Sequence, residues 1–362
     1  MSIESNSDRV YYFDFIRAFA IFGVLACHCF AGLVQNVDIF NTRLWYYSLF
    51  LNSLRDVSVP LFVCLSGALL INKKTDLLTF IKKRFNKVVV PYIFWLCVFI
   101  VFESTFIIGG FSKDFLIGTL SFPPVGNAVY LWFVQMILLI YVLIIILNLL
   151  IQFRPYFLKL GLIASILFVI LLNFNFIPRF SKPYSYFYFI IYAIFGYYLS
   201  TYDFQENKIA KIFKINNEKL VLIFFVASIL LYLAEIFLTA SSSISLNEYS
   251  PISQYGFLNI FLVISVFLFF RYFSESQGKF NKLFNHITNN IAGRFIFSIS
   301  FCSYGIYLCH IIVKDFLTSL SIINIFSPSI GNTILLVLDL LVSWLLILGL
   351  SKIPVLNKIS VR

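Results

Sequence analysis

The chain has 362 residues, 60% of them apolar and only 12% charged, and 45 are phenylalanine. Soluble domains run near about 50% apolar and about 25% charged, so lipid or other helices must cover most faces and a water-soluble globular protein is excluded. The net charge of +11 does not point to nucleic acid, because the basic residues cluster in loops between apolar runs, which is first a topology signal.

A bilayer core takes about 20 helical residues. Runs of that length predict ten helices, near 13–35, 47–71, 86–109, 128–151, 156–173, 184–200, 219–240, 255–273, 295–320 and 332–351. The expected fold is therefore an all-α polytopic bundle, a single transmembrane domain over residues 1–362. The first run is too long for a signal h-region and lacks a small-residue cleavage site, so it is expected to stay as an anchor. Phe174 to Tyr188 is aromatic throughout, which makes an interfacial position possible and the fifth and sixth helices the least regular. Polar loops are expected near 110–127 and 240–254, the second a flexible surface loop around Ala240-Ser-Ser-Ser-Ile-Ser. His286 falls in a basic loop. No internal repeat is visible.

The basic residues test the count. With the N-terminus in the cytoplasm, the inner segments hold 20 of the 27 basic residues, among them Lys73, Lys82, Lys83, Arg84, Lys87, Lys279 and Lys282. The outer segments hold only Arg43, Lys113, Arg179 and Lys182. That bias predicts both termini on the cytoplasmic side. Six cysteines lie inside apolar runs without a CxxC pair and read as small buried hydrophobes. Cys27-His28-Cys29 cannot converge on one ion, since successive helical residues point about 100° apart. No metal site is expected.

Charged groups inside a bilayer need a reason. The first helix carries Asp14, Arg17 and His28. Arg17 and His28 are 11 residues apart, which returns to within about 20° of one direction and rises about 16 Å. Both therefore share a face, with Arg17 near the cytoplasmic end, and Asp14 can pair with Arg17 one turn away. The arrangement suits a ligand with a phosphate-rich head and a long arm: arginine grips phosphate as a planar fork, and histidine can take a proton from an attacking hydroxyl. A snorkelling arginine and a structural histidine fit these two residues equally well.

Further polar groups follow along the chain. Arg55 and Asp56 enter the second helix, where Pro60 can kink it and Ser66-Gly67 permits close helix contact. Lys82-Lys83-Arg84-Phe-Asn-Lys87 reads either as a positive-inside cluster or as a phosphate site, with Arg84 and Lys87 on one face. Ser303, Tyr307 and His310 form one stripe at i, i+4 and i+7. Glu103, Glu235, Asp339 and Trp132 are further outliers, and the acids are candidates to pair with Arg55 or Lys314.

Phe15-Ile-Arg17-Ala to Cys27-His28 resembles the Arg-x10-His signature of the acyltransferase-3 family of bacterial inner-membrane proteins. Val57-Ser-Val-Pro-Leu-Phe-Val-Cys-Leu-Ser-Gly67 is similar to that family's Val-Pro-Leu-Phe-Phe-x-x-Ser-Gly stretch. Lys83-Arg84 before Pro91, Leu131-Trp132-Phe133, and the Ser-x-Gly-Ile-Tyr-Leu-x-His run ending at His310 fit in the same order, over residues 10 to about 350. Departures are Val63 for a second phenylalanine and Lys-Lys-Arg-Phe-Asn-Lys for the usual arginine pair. The Arg55-x-x-x-Val-Pro-Leu-Phe version is most similar to the enterobacterial common antigen O-acetyltransferase group. The resemblance implies a multi-pass inner-membrane enzyme with no permanent cofactor. It would move an acyl group, usually acetyl, from cytoplasmic acyl-CoA to a hydroxyl of an envelope glycan or lipid-linked sugar. It implies His28 as catalytic base, Arg17, Arg84, Lys87 and Lys83 on the CoA, and Arg55, Ser66, Trp132, Ser303, Tyr307 and His310 around the cavity. The competing reading is a transporter or flippase for a lipid-linked sugar or polysaccharide subunit, against which stands the lack of an inverted repeat.

Overall fold

A computed structural model describes residues 9–73, 76–121, 126–173, 184–202, 216–251, 256–321, 325–354 and 356. Lys74, Arg179, Lys182, Lys208, Lys211, Lys214, Lys358 and Arg362, and most of the aromatic stretch from Phe174, lie outside them. The described residues are helical and contain no strand. Among the described residues there are fourteen α-helices: α1 (Tyr11–Gln35), α2 (Arg43–Asn52), α3 (Leu54–Leu70), α4 (Leu77–Arg84), α5 (Val90–Phe102), α6 (Lys113–Leu120), α7 (Trp132–Phe153), α8 (Phe157–Asn173), α9 (Ile190–Thr201), α10 (Asn217–Leu246), α11 (Phe257–Glu275), α12 (Lys279–Asn289), α13 (Ile291–Ser319) and α14 (Pro328–Ser351). Among the described residues, eight continuous stretches are long and apolar enough to cross a membrane. The expected fifth and sixth spans correspond to the shorter α8 and α9, the latter preceded by a 3-10 turn over Tyr184–Phe189.

Several expected boundaries move, for local reasons. The span expected at 47–71 is two helices, because the chain bends at Ser53 between α2 and α3. The span expected at 86–109 begins at Leu77, where Asp76 accepts the Thr79 N–H at 3.0 Å and caps α4. Pro91 has no N–H, and its ring would strike the Lys87 carbonyl in a regular helix. The helix widens to a π turn over Phe85–Val89, in which Val90 N–H bonds to the Phe85 carbonyl.

Three expected loops contain helix. The serines from Ala240 onward continue α10 to Leu246, with Ser241 bonding back to the Phe237 carbonyl at 2.9 Å. Ala240 is buried against Val34, Trp45 and Leu49, so a flexible loop there is excluded. His286 lies on the amphipathic α12, whose Phe284 is buried and whose Lys279 and Lys282 are exposed. The region 110–127 contains α6, capped by Ser112.

The first helix is the hub: α1 packs against α2, α3, α11, α13 and α14. Bare backbone makes some of these contacts close. A Cβ on Gly67 of α3 would overlap the Ala193 carbonyl of α9, and one on Gly196 of α9 would overlap the Cys64 carbonyl. Pro60 lies inside α3 and leaves the Asp56 carbonyl without its helical donor; Asn259 of α11 supplies one through Nδ2 at 2.8 Å.

Hydrogen bonds between helix ends define two faces. On the first, Asp14 meets Ser300, Asn72 meets Asn148 and Tyr197, Arg271 donates to the Leu199 and Tyr202 carbonyls, and Glu218 meets the Lys279 N–H. On the second, Trp45 meets the Val34 carbonyl and Tyr47 meets Thr333. The first face carries Arg9, Arg84, Lys87, Lys279 and Lys282, and is the basic face.

Candidate functional site

A cavity of about 650 Å³ opens at the basic face between α1, α3, α7, α13 and the α4–α5 junction. Its mouth carries four cations, Arg9, Arg17, Arg84 and Lys87, against one carboxylate, Asp14. Asp14 is 7% exposed and holds three partners: Arg9 Nε at 2.8 Å, Arg17 Nη1 at 3.4 Å, and the donating Ser300 hydroxyl at 2.6 Å. The expected Asp14–Arg17 pair is therefore present, and it is shared. The Arg84 guanidinium rests 5.8 Å from the ring centroids of both Phe80 and Tyr141, and its buried Nε has no hydrogen-bond partner. The π turn brings Arg84 and Lys87 to the same cavity, and Tyr304 of α13 ties that turn down by donating to the Val88 carbonyl at 2.8 Å. π turns of this kind are frequent at functional sites.

Deeper in, the walls become apolar: Phe62 and Leu65 from α3, and Phe133 and Ile137 from α7. Ser66, Ser303 and Tyr307 line the cavity as well. Tyr307 lies beside Phe133, ring centroids 5.2 Å apart, and its hydroxyl donates to the Tyr130 carbonyl.

His28 and His310 do not line this cavity. The stripe on α13 continues inward from Tyr307 to His310, ring centroids 5.9 Å apart, and His310 meets His28 of α1 at 5.1 Å. His310 is fully buried, with Nδ1 2.7 Å from the Tyr307 carbonyl and Nε2 without a partner. His28 thus sits behind an aromatic layer, although it shares a helix with Arg17.

Two other expected lining positions, Arg55 and Trp132, and Lys83, which was expected on the CoA, lie elsewhere. Arg55 is on the far side of His28, where it pairs with Asp56 at 3.2 Å and donates to the Tyr249 hydroxyl at 3.1 Å. Tyr249 in turn donates to Asn52, which donates to the Cys27 carbonyl at 3.1 Å, one residue before His28. Trp132 stacks on Tyr186 at 5.8 Å and fastens α7 to the turn before α9. Lys83 is exposed and points off the cavity, because one helical step separates it from Arg84.

Two of the buried acids, Glu235 and Asp339, take their hydrogen bonds from neutral side chains. Asn259 donates to Glu235 at 3.4 Å, Ser343 donates to Asp339 at 3.1 Å, and Lys314 pairs with its neighbour Asp315 at 3.2 Å. Among the described residues, no three His, Cys, Asp or Glu side chains converge as metal ligands would. All six cysteines are free, and Cys97 is exposed where burial was expected.

Sequence reasoning missed Ser300 and gave Arg9 no role beyond topology. Ser300 was findable: it extends the 303–307–310 stripe by one turn towards the helix start. Tyr130 had no signal, since its position follows from the 3-10 turn of Gly126–Leu131.

No curated protein and no solved structure matches the chain. A family model described as an acyltransferase domain matches residues 10–348, nearly the whole bundle and every residue of the site above except Arg9. The chain belongs to the acyltransferase-3 family and is a multi-pass membrane acyltransferase.

Proposed function

We propose that the protein transfers a short acyl group, acetyl in the first instance, from acyl-CoA in the cytoplasm to a hydroxyl of an envelope glycan or lipid-linked sugar. The membrane would be the bacterial inner membrane. The observation that carries this reading is the surplus of cations at the cavity mouth, four against one carboxylate, above apolar walls. A CoA molecule has the matching polarity, with phosphates at one end and a thin pantetheine arm at the other. Arg17, Arg84 and Lys87 hold the phosphates. The arm runs along α1 towards His28, about 16 Å from Arg17 by helical rise. Phe133 and Tyr307 crowd the inner end of the cavity, which favours a small acyl group, and the arm passes where Tyr307 turns aside.

In the transfer step His28 takes the acceptor hydroxyl's proton while the oxygen bonds to the thioester carbonyl carbon. The carbon–sulfur bond breaks, and the proton on His28 passes to the departing CoA thiolate. Products are the O-acyl ester and free CoA, with no metal in the step. The acceptor class is supported by the Arg55-x-x-x-Val-Pro-Leu-Phe stretch, similar to that of enterobacterial common antigen O-acetyltransferases. Arg55 lies on the face from which an envelope glycan would approach.

The test is transfer of label from radioactive acetyl-CoA into glycan of membranes that contain the protein. His28→Ala is expected to abolish transfer at normal protein level. Full activity in that variant would sink the mechanism.

A further inference from the structure

We infer that His310 is a positioning residue, which holds His28 in the one tautomer able to act as a base. The inference rests on the general-base reading of His28 above.

A carbonyl oxygen only accepts hydrogen bonds, so the 2.7 Å contact to the Tyr307 carbonyl places a proton on His310 Nδ1. Nε2 is buried and without a partner. A second proton there would make an unpaired cationic donor inside the bundle, far more costly than a bare lone pair. His310 is therefore a neutral ring with a fixed acceptor at Nε2. Its closest aromatic neighbour is His28, at 5.1 Å between centroids with the planes at 48°, while the Tyr130 ring is at 6.0 Å. No hydrogen bond joins the two rings directly in this structure; at this separation one bridging water, or a small rotation of the His28 ring, brings a His28 N–H to Nε2.

A general-base histidine must offer a lone pair to the hydroxyl and so carries its N–H on the other nitrogen. That N–H needs an acceptor to fix the tautomer and the ring plane. Familiar triads use a carboxylate as the orienting group. A full anion beside His28 is costly within a bilayer; a neutral imidazole whose own tautomer is pinned by its helix backbone gives the same orientation without one. Helical geometry supplies the pin: His310 follows Tyr307 by three residues on α13 and folds back onto that residue's carbonyl. The acyl group and the acceptor never touch His310.

The test has two readouts on full-length protein in lipid nanodiscs, with His310→Ala and His310→Gln. In transfer from acetyl-CoA to acceptor membranes, His310→Ala is expected to lower kcat about 100-fold with the KM for acetyl-CoA unchanged. His310→Gln, whose amide oxygen can accept near the Nε2 position, is expected to recover a large part. The second readout is the nitrogen-15 spectrum of the histidines, of which the chain has three. His310 is expected as the Nδ1–H tautomer, and His28 as a single tautomer that becomes a mixture in His310→Ala. An unchanged His28 spectrum in that variant overturns the inference, as does a glutamine variant as slow as the alanine one. Tyr130→Phe is expected to leave both readouts alone, and a loss there with His310→Ala unaffected would assign Nε2 to Tyr130 instead. Failure of the wild-type protein to consume acetyl-CoA would remove the functional reading, and the spectrum would still decide how the two histidines are coupled.

Discussion

Arg84 and Arg17 are both arginines at one cavity mouth, yet their charges are committed differently. Arg17 shares Asp14 with Arg9 and Ser300. Arg84 has no carboxylate; its guanidinium lies near Phe80 and Tyr141 and its Nε is unsatisfied. An arginine held by ring faces keeps its edge free for a phosphate. Arg84→Ala is therefore expected to raise the KM for acetyl-CoA about tenfold, about 1.4 kcal/mol, with kcat nearly unchanged. Arg84→Lys should recover only part, because an ammonium is a point charge and not a fork. Initial-rate kinetics at varied acetyl-CoA decide this, and an unaltered KM in the alanine variant would remove Arg84 from the donor site. The legibility of such residues in the sequence followed their geometry. Asp14–Arg17 and the 303–307–310 stripe depend only on helical spacing, and both recur in the structure. Arg55 and Trp132 could not be placed that way: which neighbour a side chain meets is set by helices far away in the chain. The depth of His28 along α1 was readable; Tyr307 between it and the cavity was not.

Helices here are held together by repaired backbone as well as by apolar area. Lipid supplies no hydrogen bonds, so each carbonyl freed by a proline needs a partner from the protein. At Pro60 that partner comes from Asn259; at the π turn ahead of Pro91, Tyr304 donates to the Val88 carbonyl. Asn259 also accepts from the Tyr192 hydroxyl at 2.7 Å and reaches Glu235, so one side chain joins α3, α9, α10 and α11. Asn259→Ala is expected to destabilise the protein by about 1–3 kcal/mol, read as a lower midpoint of thermal unfolding in detergent. Pro60→Ala restores an N–H opposite the Asp56 carbonyl, so the loss from Asn259→Ala should be smaller in that background. Equal losses in the two backgrounds would show that the asparagine does not act through that carbonyl. The same logic explains which elements the sequence disclosed. Long apolar runs are a local property and mark the spans directly. The break at Ser53 falls in the polar stretch Asn52 to Asp56, but an average over the whole run is still apolar enough to read as one span. The serines after Ala240 look like a loop by composition, but in a helix they bond back to their own carbonyls and let α10 pack closely on α1 and α2. The eleven residues of α12 are too short and too polar on average to register as a span.

For the whole molecule, the two faces have different chemistry, and function depends on which one meets the cytoplasm. Helix ends joined by hydrogen bonds put Asp14, Ser300, Asn72, Asn148, Glu218 and the start of α12 on one side, with the cavity mouth. The Arg55–Tyr249–Asn52 chain lies on the other side. Acyl-CoA is made and kept in the cytoplasm, so the proposed reaction requires the basic face to be cytoplasmic. The bias of basic residues points the same way. Single cysteines can test this in a background with the exposed Cys97 replaced by serine, since the other five native cysteines are buried. Lys282 on α12 and Ser245 near the end of α10 are both exposed and belong to opposite faces. A membrane-impermeant maleimide applied to spheroplasts is expected to label Ser245→Cys at once and Lys282→Cys only after lysis. The reverse pattern would put the cation-rich mouth on the side where no acyl-CoA exists. The cavity would then have to bind a different polyanion, and the donor site would have to be sought among Arg55, Lys314 and the residues around them.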